Sequence, residues 1–376
     1  MNARKVKLGD VCTVVSGSTP SSKSPEYWNG DVVWITPAEL TEDSYIVSDS
    51  CRHLTELGVQ SSSLKPFPAG TVILTSRAPI GKTAIAGREM YCNQGFKNLI
   101  CSPCIYNKYL YFFLTARTEF LNSLGRGATF KELSKSIVEN IEISLPEINT
   151  QKSRAKILLK IKFIIQTKKL QLQKLDFLVK SRFVELFEEK FPFIKIGNVF
   201  KTTSGGTPNT SCPEYYTGGT IPWLTSGEVN QGIITSTKNY ITEEGLNHSS
   251  AKWVPKNTIV IAMYGATAGQ VGLLKIDSTT NQAICSVLPN PKFSPFYLYH
   301  AIAYKKEWMI QQCAGGAQPN ISQGIIKKME IISPPLPLQE EFASFVQQVD
   351  KSKFLCQFTL KRFTDILFAQ RRHLYG

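Results

Sequence analysis

Long apolar runs are missing from this sequence. No stretch approaches the ~18 residues that a membrane-spanning helix needs, and "MNARKVKLGDVC" lacks the apolar segment of a signal peptide. The expectation is a cytoplasmic protein with no membrane partner. Histidine is scarce: only His53, His248, His300 and His373 occur. There is no G-x-x-x-x-G-K-[ST] phosphate loop and no H-E-x-x-H zinc motif. "SPPLP" at 333–337 has the prolines of an amino-methyltransferase motif but neither its acidic or amide residue nor its aromatic. Nuclease-like acidic clusters are also lacking. These absences point away from intrinsic catalysis and toward binding. The nine cysteines are an odd number, which does not suit a disulfide framework. Cys101 and Cys104 form a lone C-x-x-C. A structural zinc would need a second ligand pair, and the nearest extra candidate is Cys92, so no metal is expected.

What is present is globular composition, with 42% hydrophobic and 19% charged residues, and a net charge of +14. Such a charge favours an anionic partner. Its distribution is uneven. Residues 1–150 carry 15 basic against 14 acidic side chains, whereas 151–190 carry 11 against 4. Half of the excess therefore lies in forty residues, as either a solvated helix face or a polyanion-binding one.

The chain also repeats itself. "SGSTPSSKSPEYW" from Ser16 returns as "SGGTPNTSCPEYY" from Ser204, and "KLGDV" at 7–11 returns as "KIGNV" at 195–199. Trp34 matches Trp223, Glu39 matches Glu228, Asn93-Gln94 matches Asn281-Gln282, and Gln151 matches Gln339. A period of about 188 residues is a domain-sized duplication, far above the ~20–50 residues of a solenoid repeat. The boundaries read as a domain at 1–150, a long helix at 151–190, a second domain at 191–337 and a second long helix at 338–376.

Within each domain, "VVWIT", "TVILTS", "TIVIAMY" and "IEISLP" are β-branched runs bounded by turn residues and read as strands. Residues 107–124 and 296–313 each read as one apolar helix. In the long segments, Leu158, Ile161, Ile165, Leu172, Leu175, Val179 and Leu186 alternate spacings of three and four, with Lys168 and Arg182 in the slots between. Phe342, Phe345, Val349, Cys356, Phe363 and Ile366 continue the rule in the second copy. This is a heptad seam. Pro146 stands ahead of the first helix and Pro334, Pro335 and Pro337 ahead of the second, where proline is tolerated. The expected fold is α+β: two homologous mixed domains joined by two long helices in an antiparallel, pseudo-two-fold coiled coil. A helix of ~38 residues spans ~57 Å. Such a spacer could hold two readers on one face of B-DNA, which requires multiples of ~34 Å. A heptad cannot name its partner, and other chains remain open as the second helix.

The duplicated "KIGNV…SGGTP…PEYY…PWLT" order, "GGAQPNIS" at 315–322, and the proline-plus-glutamine lead-in to each long basic helix resemble the DNA-specificity subunit of Type I restriction–modification systems. The resemblance covers essentially the whole chain. It implies two target recognition domains, each reading half of a bipartite double-stranded DNA sequence. It also implies two methyltransferase subunits docked on the helices, and motor–nuclease subunits in the full complex. S-adenosylmethionine, ATP and Mg would then belong to the partners, with no cofactor in this chain. The first copy departs from the motif, reading "GRGATFKELS" where the second reads "GGAQPNIS". A duplicated RNA- or protein-binding module is the alternative reading.

If the two domains read different bases, residues common to both are framework and those that differ can carry specificity. Asn93-Gln94 and Asn281-Gln282 are therefore expected to be buried structural amides, Trp34 and Trp223 core, and Thr19, Thr207, Tyr27 and Tyr215 framework or phosphate contacts. The differing stretches are "SRAPIGKTAIAGR" at 76–88 and "MYGATAGQVGLLK" at 263–275. They set Arg77, Lys82 and Arg88 against Tyr264, Gln270 and Lys275. Arg suits guanine and Gln suits adenine. Arg126 and Lys131 stand against Gln318 and Asn320 as a second set. Lys97, Lys201 and Lys238 are phosphate candidates. For Arg77 and Lys82, contact with phosphate or solvent alone is the competing reading. For the second set it is a plain turn.

Overall fold

The computed structural model of the chain describes residues 4–62, 64–77, 79–127, 131–313 and 320–375. Two compact units emerge: Met1–Leu170 with Gln357–Gly376, and Gln171–Cys356. Each long helix therefore begins in one unit and ends in the other. No helix among the described residues is long and apolar enough to cross a membrane.

The first unit is built on a five-stranded sheet in the order Cys12–Val15, Asn98–Cys101, Val72–Leu74, Thr83–Ala86, Ile46–Val47. Only the last pairing is parallel. A second sheet flanks Trp28–Ile35 with His53–Leu54 and Tyr91–Cys92. Arg4–Lys7 pairs with Glu142–Leu145, so the start of the domain closes on its end. The second unit repeats the plan. Its five strands are Thr202–Ser204, Ile284–Val287, Ile259–Ala262, Val271–Leu274 and Ile233–Ile234. Its second sheet gains a fourth strand, Trp253–Val254, and Phe193–Lys195 pairs with Glu330–Ile332. The runs read from sequence as strands all lie in these sheets.

Residues 107–124 and 296–313 do not form single helices. The first splits into Asn107–Thr115 and Thr118–Leu124, the second into Pro295–Ala303 and Lys306–Gln311. The break falls at the same place in both copies. Arg117 leaves the helical region at φ −121°, ψ 24°, and Lys305 does so at φ −90°, ψ 10°. Neither stretch contains an internal glycine, and the only proline opens the second. The cause is packing. The first helix is buried nearly all round, from Tyr109 to Leu114. Eighteen straight residues would run ~27 Å; bending instead returns Leu121, and in the second unit Met309, to the core that the first helix fills.

The long helices are Ile148–Phe187 and Leu336–Tyr375. Within the second unit they pair antiparallel: Arg182 meets Glu341 at 3.0 Å, Asp176 meets Lys353 at 2.6 Å, and Gln171 faces Cys356 at 3.7 Å. Partner numbers rise as the first helix's numbers fall. In the first unit, Ala155 and Leu158 enter the core, with Leu159 and Leu367 packed against it. The seam departs from the expected register at one turn. Phe183 and Val346 are buried, whereas the predicted Arg182 and Phe345 are only partly so. Phe183 wins the slot because its ring stacks on Tyr297 at 5.8 Å and meets Phe342 edge-on at 5.6 Å. Arg182 is displaced to the rim, where it pairs with Glu185 and Glu341.

Gln151 and Gln339 fasten each helix to its domain. The Gln339 side chain accepts from the Ser294 amide at 2.9 Å and donates to the Lys292 and Pro334 carbonyls at 3.2 and 2.8 Å. Gln151 does the same with Tyr106, Cys104 and Pro146. Gln339→Leu leaves three backbone groups without a partner at a site 1% exposed. The expected loss is about 3 kcal/mol, read as a lower urea midpoint with an unchanged slope; Gln357→Leu, outside any such network, is the neutral control.

His300 lies against Phe342, with ring centroids 5.5 Å apart. Burial, then the nearby Lys353 charge, holds its imidazolium well below the usual range, at about 4. The fold thus excludes a proton that the unfolded chain takes up below about pH 6.5. This contribution is full above pH 6.5 and is lost as pH falls toward 4. In paired urea titrations, His300→Leu should flatten the fall in stability across that window relative to the parent; equal slopes refute it.

Candidate nucleic-acid interface

The loops that differ between the copies rest on a backbone lattice that does not. In the first unit the Ser76 amide donates to the Gly95 carbonyl at 2.8 Å, and the Leu133 amide donates to the Ser76 carbonyl at 2.9 Å. In the second, the Met263 amide donates to Ala283 at 2.8 Å and Ile321 donates to Met263 at 2.9 Å. This fixes the true correspondence. Arg77 is equivalent to Tyr264, and Glu132 to Asn320. The sequence reading set Arg126 and Lys131 as a group against Gln318 and Asn320; the lattice makes Glu132, not Lys131, the residue equivalent to Asn320.

Around this lattice the first unit gathers charge. Glu132 lies 3.2 Å from the Lys97 ammonium and 4.0 Å from the Arg77 guanidinium. Its backbone pairs with Arg126 through two bonds of 3.0 and 2.9 Å. Arg126 and Lys131 project into solvent beside it. Lys97 is 7% exposed and also reaches the Ser76 hydroxyl at 3.4 Å. Its charge is therefore committed to Glu132 inside the domain. An open groove beside the cluster is lined by Arg126, Ser134, Lys135 and Asn140. The second unit is neutral at the same place. Tyr264 is exposed and bridged to Asn320, and Gln270 stands half-buried at the far side of the same hairpin. Gln318 lies outside the described residues.

Other candidates do not join these groups. The Lys82 ammonium donates to the Leu40 carbonyl at 2.6 Å, which ties it to the fold. Strand register puts Arg88 in the first unit, and Lys201 and Lys275 in the second, at the opposite end of each sheet. Lys275 sits over the Phe296 ring at 4.1 Å, and burial lowers its pKa. Lys238 is exposed, and its backbone amide donates to Glu228 at 2.7 Å.

The shared loops form the frame. A Cβ on Gly17 or Gly205 would fall 1.8 Å from the Cys92 or Thr280 carbonyl, so only glycine can seat the loop there. The indole of Trp34 donates to the Ser18 carbonyl and that of Trp223 to Gly206, both at 3.0 Å. Both rings are buried, as expected from sequence. Gln94 and Gln282 are a correction. They are exposed rather than buried, and each carboxamide is held at the surface by Thr19 or Thr207. Only Asn93 serves the backbone directly, accepting from the Gly95 amide at 2.9 Å. Glu132 escapes the sequence reading because an acidic side chain is not an expected contact in loops that meet an anion. Its signal was an acidic residue that the second copy replaces with asparagine.

The Type I restriction modification DNA specificity domain matches residues 2–175 and again residues 188–357. The chain is 29% identical over 373 residues to the MjaIX Type I restriction enzyme specificity subunit of Methanocaldococcus jannaschii, covering 91% of this chain and 85% of that protein. With the EcoR124I/EcoR124II specificity subunit of Escherichia coli, identity is 30% over 161 residues, 42% of this chain and 39% of that one. Among solved structures, the S subunit of a Type I restriction–modification system from M. genitalium aligns over 100% of this chain and 96% of its own, with a TM-score of 0.62 at 16% identity. A chain from a structure of type I R-M complex assembly aligns over 99% and 97%, with a TM-score of 0.60 at 17% identity. The solved structures share the fold, and the two matches cover most of the sequence: the chain belongs to the Type I restriction modification DNA specificity domain family and carries that domain twice.

Proposed function

We propose that this chain is the non-catalytic DNA-recognition subunit of a Type I restriction–modification enzyme, and that each unit reads one half of a bipartite duplex target. One observation carries the reading. Two copies of one backbone lattice present opposite chemistries on the same face, Arg77 beside Glu132 in one and Tyr264 beside Asn320 in the other. A duplicated domain that served structure alone would have no reason to diverge at that face while its frame is kept. The exposed cations Arg126 and Lys131 supply phosphate attraction, which is salt-dependent and indifferent to sequence.

The long helices offer a surface for methyltransferase subunits. Phe163, Phe177, Phe354 and Phe358 are 61–70% exposed on them. Large apolar side chains in solvent mark protein contacts when several occur on one element. Two such subunits would bring S-adenosylmethionine, and motor–nuclease subunits would bring ATP and Mg, in a cytoplasmic assembly. The basic excess of 151–190 is partly used within the domain, where Lys162 and Lys169 both reach Asp43 at 3.1 Å.

The test is competition binding of the chain with its modification subunits, using duplexes drawn from the methylated sites of its host against random duplexes. A bipartite methylated motif with a fixed gap, and preferential binding to it, is expected. Equal binding to target and random DNA would overturn the reading. In the same assay Arg77→Ala should weaken specific binding about tenfold or more, whereas Arg88→Ala, at the other end of the sheet, should change it less than about threefold.

A further inference from the structure

The charged cluster of the first unit has no counterpart in the second, and that difference is informative. Counting from the shared asparagine, Lys97 is equivalent to Cys285, as Glu132 is to Asn320. Cys285 is fully buried, and Lys97 is 7% exposed. The same lattice thus closes over a buried ammonium paired with a half-exposed carboxylate in one copy and over a buried thiol in the other. An ion pair with one member buried is poor evidence for stability, since desolvating the ammonium offsets the attraction. The neutral second copy demonstrates that the lattice needs no such pair. Its presence in the first unit calls for another reason.

The geometry supplies one. Glu132 presents one carboxylate oxygen inward to Lys97 at 3.2 Å and the other outward toward Arg77 at 4.0 Å. Arg77 also lies against the loop that carries the shared amides: a Cβ on Gly95 would sit 3.5 Å from the Arg77 Nε. The guanidinium is therefore bounded on one side by the Gly95 loop and on the other by a carboxylate that Lys97 pairs from beneath. Arginine reads guanine through two parallel donors in a fixed plane. An arginine on an exposed loop loses that plane unless something holds it. We propose that Glu132 is a positioning residue for base recognition in the first unit, anchored by Lys97 and acting through Arg77. The second unit, with Cys285 and Asn320 at these positions, reads its half-site without any such charge relay. The inference rests on the reading that each unit recognises one half of a DNA target.

The experiment uses the chain assembled with its modification subunits. Methylated positions are mapped on a random-sequence duplex library for the parent, Glu132→Gln, Arg77→Ala and the double variant. The parent must first yield a bipartite motif; if it yields none, the DNA-recognition reading itself has failed. Given that motif, Glu132→Gln should relax base preference about tenfold or more at the positions that Arg77→Ala relaxes. Those positions should all lie in one half-site, with the other half-site unchanged. The double variant should match Arg77→Ala. A uniform fall in methylation with the motif intact would mean that Glu132 serves structure only. Relaxation by the double variant beyond that of Arg77→Ala would mean that Glu132 does not act through Arg77. Either result overturns the proposal. If Glu132→Gln does not assemble because Lys97 is stranded, the double variant Lys97→Cys with Glu132→Asn removes both charges in the manner of the second unit. It carries the same two readouts.

Discussion

A pair of backbone hydrogen bonds organises the variable face of each unit. Ser76 is gripped between Gly95 and Leu133, and Met263 between Ala283 and Ile321. Three chain segments distant in sequence are thereby joined at one sheet end. The grip uses only main-chain atoms, so it is indifferent to the side chains it displays. That indifference lets one architecture carry Arg77 and Glu132 in one copy and Tyr264 and Asn320 in the other. The glycines at 17 and 205, and the indoles of Trp34 and Trp223, complete the frame by pinning the neighbouring loop to the same strands.

Charge follows the same division. Residues 1–150 are nearly neutral by count, yet they concentrate Arg77, Lys97, Arg126 and Lys131 around a single carboxylate. Two of these cations face outward and one is sealed below. In low dielectric an ammonium without a partner is costly, and Glu132 supplies that partner to Lys97. The second copy has exchanged both.

The long helices answer a different constraint. Their seam buries Val179, Phe183 and Phe187 with Phe342, Val346 and Val349, while phenylalanines elsewhere on the same helices remain in solvent. Gln151 and Gln339 make three bonds each to the domain beside them. Each helix start is thus stapled to a recognition domain. The buried aromatic contacts of Phe183 with Tyr297 and Phe342 extend the same attachment along the second unit.

Much of this was legible beforehand. The duplication, the strands, the two long helices and the seam follow from residue spacing, because periodicity records which face is buried. The burial of Trp34 and Trp223 followed from their presence in both copies. What the sequence could not supply is contact across distance. The breaks at Arg117 and Lys305 carry no internal glycine or proline, since the core rather than local preference bends the chain. The exposure of Gln94 and Gln282 depends on which way a loop faces. Lys97 and Lys82 read as free cations until the fold places Glu132 and the Leu40 carbonyl beside them. Sequence by itself determined the repeat, the element types and the family. Only the tertiary structure decided which charges are already paired, because pairing depends on residues that folding, not chain order, brings together.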